Sequence, residues 1–140
     1  MFMKYFNFNE FFKSEVADSV GINNVPEDSQ KQLVRGNIIL LVDNVLDPIR
    51  ECVKLPVFIT SGYRCTALND LIGGSESSQH LIGQAADFTV LSLTARELKK
   101  LAFWCSEYLD FDQMIVYARQ RFIHVSYVSK DSNRHEVIFK

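Results

Sequence analysis

The hydrophobic period changes once along this chain, and that change limits the fold more than any other feature. From Pro26 to Val53 the apolar residues Leu33, Ile38, Leu41, Val42, Val45, Leu46, Ile49 and Val53 recur at helical spacing, which marks a long helical segment with one face in a core. From residue 112 onward the runs DQMIVYA, RFIHVSYV and HEVIF read as strands, separated by the turn-type stretches RQ and KDSNR. Helical patterns ahead of strand patterns predict an α+β domain, with helices packed on one side of a small, largely antiparallel sheet. At 140 residues, 47% of them apolar, the chain fits one domain over 1–140 with a real core.

Local signals place the remaining elements. Asn9 is positioned to cap a short helix through residues 10–18, whose Phe11, Phe12 and Val16 would dock on the body of the domain. Gly21 and NNVP then mark a loop. Pro48 lies inside the long apolar stripe and predicts a kink, or a break with a restarted turn, because it removes one backbone hydrogen bond. VFIT at 57–60 reads as a short strand, residues 66–72 as a brief helix stopped by Gly73 and Gly74, and AADFTV as a buried strand. Thr94 and Glu97 have capping-box spacing and open a helix with Leu98, Leu101, Ala102 and Cys105 on its apolar face.

A formal net charge of -2, with no basic cluster beyond Arg119 and Arg121, argues against a nucleic-acid partner. No stretch approaches the roughly 20 apolar residues of a membrane helix. No cleavage site follows the N-terminal run MFMKYFNFNEFFK either, so the expectation is a monomer made in the cytoplasm, without an export signal or membrane insertion. Cys52, Cys65 and Cys105 are odd in number, far apart and without C-x-x-C spacing, which reads as free thiols. Cys65 sits beside Arg64, but no base adjoins it in sequence to make it a nucleophile.

Polar chemistry concentrates between Ser61 and Asp87, where SGYR follows the first strand and a glycine-softened loop leads through His80. His80 and Asp87 are seven apart, and Gly83 between them disfavours the unbroken helix that would put both on one face. A loop-to-strand path suits them better. In FIHVSYV the apolar set Ile123, Val125 and Tyr127 alternates against His124 and Ser126, placing His124 on the less covered sheet face. Two imidazoles and a carboxylate match catalytic zinc. They can also hold non-haem iron, although the usual His-x-Asp pairing is absent. His135 belongs to the charged turn NRHE.

Ser78, His80, Gly83, Ala85 and Asp87 fit the pattern S-x-H-x-x-G-x-A-x-D. With SGYR upstream, FIHVSY downstream and the VLDP, LN and GG elements, the chain from about Asn9 to Tyr127 resembles the M15 family of zinc peptidases. These are D-alanyl-D-alanine carboxypeptidases and phage-type peptidoglycan endopeptidases, with an α+β fold shared with the Hedgehog signalling domain. The resemblance implies Zn2+ bound by His80, Asp87 and His124, a catalytic contact between Arg64 and substrate, and Ser78 lining the pocket. Tyr63 and Gln84 join Ser78 as candidates for binding substrate, while Ser78 and Gln84 can equally be ordinary polar loop residues. The implied partner is the peptidoglycan stem peptide, met at the cell wall after release of the protein, in a virion, or as a recycled fragment in the cytoplasm.

One departure matters. Family members carry a Glu or Asp close before the last histidine as general base. Here Arg121 stands three before His124 and Tyr117 ends the preceding strand, leaving Asp112 or Glu136 as carboxylates that could substitute. Two expectations therefore stand: a zinc peptidase, or a zinc-bound relative that binds peptidoglycan with weak or no turnover.

Overall fold

The computed structural model describes residues 3–140; Met1 and Phe2 of the aromatic N-terminal run lie outside the described residues. The N-terminal helix is two helices, α1 (Phe8–Phe12) and α2 (Glu15–Val20). Asn7, rather than Asn9, caps α1, because Glu10 stands three residues after it and completes a capping box; Ser14 caps α2 afresh. Phe11 is fully buried as expected, but Val16 is 47% exposed and does not dock.

The long helical segment is α3 (Asp28–Leu41), a π-helical stretch Val42–Leu46, and α4 (Asp47–Val53). Pro48 produces neither a break nor a restart: the turn ahead of it widens, and the Asp47 amide reaches back to the Val42 carbonyl. The core stripe runs through Val34, Ile38, Leu41, Val42, Val45, Leu46 and Ile49, all fully buried, whereas Leu33 faces outward. Asp47 turns inward and accepts the amides of Lys4 and Tyr5 at 2.7 and 3.1 Å, which straps the N-terminal segment across the helix.

Five strands follow in one sheet: β1 (Phe58–Ser61), β2 (Ala85–Thr89), β3 (Gln113–Tyr117), β4 (Phe122–Ser126) and β5 (Glu136–Phe139), ordered β1-β2-β4-β3-β5. Between β1 and β2 lie α5 (Thr66–Leu71) and a 3₁₀ turn Gln79–Ile82, and α6 (Ala95–Tyr108) connects β2 to β3 behind the expected Thr94–Glu97 capping box. The sheet is largely antiparallel, with one correction: β5 pairs parallel to β3. One face contributes Ala86, Phe88, Met114, Val116, Ile123 and Val125 to a single core with the helical residues named above and Leu98, Leu101 and Cys105 of α6. The opposite face carries Asp87, Ile115, Tyr117, Phe122 and His124, all half-buried. This separation follows from the period of two in a strand and leaves one face of the sheet free for chemistry.

Candidate metal centre

His124 enters from the middle of β4, where the register sets it opposite Asp87 of β2 on one side and Ile115 of β3 on the other. His80 comes from the 3₁₀ turn, which is fixed from three directions. Ser78 Oγ accepts the His80 amide, Asn37 of α3 donates to the Ile82 carbonyl at 2.8 Å, and Gly83 ends the turn at φ 80°. A Cβ on Gly83 would lie 2.7 Å from the Val34 carbonyl oxygen, so the turn and α3 can touch only with glycine there.

The loop after β1 and the 3₁₀ turn hold each other reciprocally. The Arg64 amide donates to the His80 carbonyl at 3.0 Å, and His80 Nδ1 lies 2.6 Å from the Gly62 carbonyl. A carbonyl only accepts, so Nδ1 carries the proton and Nε2 presents its lone pair to the site. Nε2 is buried, makes no hydrogen bond, and lies 3.4 Å from Asp87 Oδ1. His124 Nδ1 is 2.9 Å from the same oxygen. One ligand-type atom from each of the three residues falls within 4.8 Å of the others.

Zinc bond lengths of about 2.0–2.2 Å would place neighbouring tetrahedral ligands about 3.3 Å apart, and Asp87 Oδ1 stands near that spacing from both imidazole nitrogens, at 3.4 and 2.9 Å. Leaving a buried nitrogen unsatisfied costs about 1–3 kcal/mol, which a metal bond would offset. The trio therefore fits a catalytic zinc, with two imidazoles, one carboxylate and space for a fourth ligand. Burial would raise the Asp87 carboxyl, but the His124 and His80 imidazoles outweigh it and hold the group well below the usual carboxylate range, ionised as a metal ligand must be.

Arg64 closes the site beside Asp87. Its Nε donates to Ser61 Oγ at 3.2 Å and its Nη1 to Asn69 Oδ1 at 3.1 Å, while Nη2 stands 3.8 Å from Asp87 Oδ2. Burial draws the guanidinium below its ordinary range and Asp87 partly restores it. Asn69, itself buried, also donates to the Ser75 carbonyl and accepts the Gly74 amide on its own carbonyl. A Cβ at Gly74 would collide with Asn69 Oδ1 and come within 3.0 Å of Arg64 Nη1. Gly74→Ala is accordingly expected to push Asn69 off Arg64, destabilising the fold by about 1–3 kcal/mol and weakening substrate handling about tenfold. Thermal melting and peptide turnover on the purified variant check both effects.

The other expected site residues divide. Ser78 lines a cleft of about 750 Å³ together with Arg64, His80, Asp87, Tyr117 and His124. Tyr63 does not: it is buried in the core, edge-on to Phe12 at 5.8 Å, because its ring supplies packing rather than a wall. Gln84 lies outside that cleft, its backbone tied to Gln79 and Tyr127. Cys65 lines neither this cleft nor the two smaller ones that also reach Asp87, all three cysteines are free, and burial pushes the Cys105 thiol up to about 12.

Asp112 is buried at the far wall of the cleft, but Arg134 takes it, donating from Nε and Nη2 at 3.0 and 2.8 Å while Gln79 Nε2 donates at 2.8 Å. These contacts, the one to Arg134 foremost, hold its carboxyl down to about 2 against the opposing effect of burial. The unfolded chain, whose carboxyl titrates at the ordinary 3.8, protonates first as pH falls. The stabilisation is thus complete above about pH 4 and is lost toward pH 2. Asp112→Asn should flatten the melting-temperature profile over that window; a slope equal to that of the unsubstituted protein would contradict the ion pair. Glu136 is engaged by Gln113 at 2.6 Å and does not line the cleft.

Two residues that sequence patterns did not single out support the site. Asn24, in the loop after α2, donates to the carbonyls of Phe12 and Tyr63 and accepts the Cys65 amide, clamping the backbone on both sides of Arg64. Asn69 was visible only as part of the LN element. In neither case does local spacing reveal the partners.

A half-open sheet face bearing a His-Asp-His cradle, with an arginine beside the carboxylate, is a possible metal site. The chain belongs to the peptidase M15 family, whose model matches residues 4–126. No curated protein matches it. Membership makes it a peptidase of a zinc-dependent family. No described helix is long and apolar enough to cross a membrane.

Proposed function

We propose that this peptidase uses His80, Asp87 and His124 to hold zinc and hydrolyses peptide bonds involving D-amino acids in peptidoglycan stem peptides or cross-links. The observation that carries the reading is His80 Nε2, a buried nitrogen with no hydrogen bond, aimed at a carboxylate and a second imidazole on the floor of a cleft. When bound, zinc lowers the pKa of a water to about 7 and polarises a carbonyl. The chain's own residues do the rest. Gly62 fixes the tautomer of His80, and Asp87 stays ionised between the imidazoles.

Ser61 and Asn69 hold the Arg64 guanidinium so that Nη2 projects on the Asp87 side, where it can donate to the oxygen of a carbonyl under attack. Ser75, Ser77 and Ser78 give one wall of the cleft uncharged hydroxyls suited to peptide amides. The S-x-H-x-x-G-x-A-x-D pattern supports the cell-wall substrate, reached after release or as part of a virion.

Stripping metal with a chelator should abolish release of fragments from purified muropeptides, and one equivalent of zinc should restore it. Full activity in the stripped protein would end this reading.

Tyr117 favours a second reading. It lines the cleft where a base is expected, stacks on Phe122 at 4.4 Å, and has Lys140 Nζ 5.8 Å from its ring. With Asp112 committed to Arg134, the cleft offers no free carboxylate beside Asp87 among the described residues. On this reading the protein is a zinc-bound module that holds stem peptides with weak or no turnover. Tight binding of a stem peptide without product would distinguish it.

A further inference from the structure

Asp87 is shared by three clefts. The first, of about 750 Å³, contains all three candidate ligands and extends over β3 and β4. A second, of about 540 Å³, reaches Asp87 and Arg64 from Ile59, Leu68 and Ile72, and a third, of about 450 Å³, reaches Asp87 and Phe122 from Thr60, Val90 and Leu93. The strand order β1-β2-β4-β3-β5 puts β1 on one side of β2 and β3 on the other. The second cleft, which includes β1 residues and none from β3 or β4, therefore lies across Asp87 from the body of the first, while the third runs from Thr60 of β1 past Thr89 of β2 to Arg121 and Phe122 at the start of β4. At about 4.8 Å per strand, the span from β1 to β3 is about 14 Å, the length of about four extended residues.

The cations of the first cleft point the same way. A peptidase that trims a chain end needs a positive group free to receive the terminal carboxylate, ideally as a two-donor fork. Arg64 has Nε and Nη1 occupied by Ser61 and Asn69, leaving Nη2 beside Asp87. Arg134 has Nε and Nη2 on Asp112, with Nη1 3.9 Å from Glu136. Among the described residues, no other lysine or arginine lines this cleft.

From the shared carboxylate, the strand order and the engaged arginines, we infer that the site takes a peptide running through it and cuts an internal bond, as in a cross-link, rather than removing a free C-terminal residue. This inference rests on the peptidase reading above. In the reaction, water adds its oxygen to the carbonyl carbon, the C–N bond breaks, and the products are a carboxylate and an amine that has gained a proton.

The test uses the zinc-loaded full chain and three probes: a stem pentapeptide with a free C-terminus, the same peptide amidated at that end, and a purified cross-linked muropeptide dimer. Rates are read by mass spectrometry of fragments and affinities by calorimetry. Amidation is expected to change rate and affinity less than threefold, and the dimer is expected to be cut or bound at least as well as the pentapeptide. A loss of tenfold or more on amidation, with only the terminal residue released, would overturn the inference while leaving the peptidase intact. If nothing is cleaved, the peptidase reading fails on its own and the affinities still decide: equal binding of the free and amidated peptides supports a through-running groove, and a tenfold preference for the free carboxylate overturns it. Ile72→Trp, at a position 45% exposed, narrows the second cleft without touching the core. It should weaken the dimer at least tenfold more than the pentapeptide, and an equal effect on both would count against the groove.

Discussion

Tyr117→Glu is expected to raise the rate of peptide hydrolysis about 10²-fold, at the lower end of what a positioned general base contributes. Tyr117 pairs with Phe122 at the end of β3, and Ile115 two residues earlier pairs with His124, so the side chains of Tyr117 and His124 emerge from the same face on diagonal positions. Diagonal neighbours on a sheet face are about 7–8 Å apart, which a glutamate and an intervening water can span. Tyrosine is a poor base near neutral pH, and Asp112 cannot swing in without abandoning Arg134. The new carboxylate would lose the Phe122 stack but gain Lys140 as a nearby positive charge. Tyr117→Gln, with the same shape and no charge, should show no gain. Initial rates on muropeptides decide the matter: a folded, zinc-loaded Glu variant no faster than the parent would mean that Tyr117 does not occupy the position of the missing base.

The second large effect is loss of metal. His80→Ala and His124→Ala should each weaken zinc binding by more than the roughly 10–100-fold that loss of an outer hydrogen bond costs, and bring hydrolysis to background. The two variants differ in a useful way. His80 is buried, and its removal also strips the Gly62 carbonyl of its partner, so a stability cost of about 1–3 kcal/mol accompanies the loss. His124 is half-buried on the open face, and its removal leaves the Gly62 contact of His80 in place and takes from Asp87 one imidazole partner, so its stability cost should be the smaller of the two. Equilibrium dialysis against zinc, alongside thermal melting, reads both quantities. Retention of near-parental affinity by His124→Ala would remove that residue from the ligand set.

Signals that are local in sequence proved legible, and those that depend on distant partners did not. The Thr94–Glu97 box opens α6 as expected because both halves of a capping box lie within four residues. The same rule, applied to Glu10, selects Asn7 over Asn9, because the acid that completes the box stands three residues after Asn7. The strand period placed His124 on the face opposite Ile123 and Val125, and Gly83 marked the turn that brings His80 beside Asp87.

The parallel pairing of β5 with β3 has no local signature, since β5 adds to the edge of β3 that stays open once β4 has paired with the other. Tyr63 illustrates a different limit. A tyrosine next to a functional arginine can face either way, and Phe12, fifty-one positions away, decides that it packs inward. Asn24, Asn69 and Asp112 became meaningful only once their partners were known, because a polar residue's role depends on which orphaned backbone or side-chain group lies within reach.

Zinc stoichiometry, measured together with mass spectrometry of peptidoglycan fragments on the parent chain and on His124→Ala, tests the central claim most directly. One zinc per parent chain, little or none in the variant, and peptide fragments released only by the parent is the predicted result. A chain that binds no zinc, or a variant that holds as much as its parent, would contradict a metal centre built from His80, Asp87 and His124.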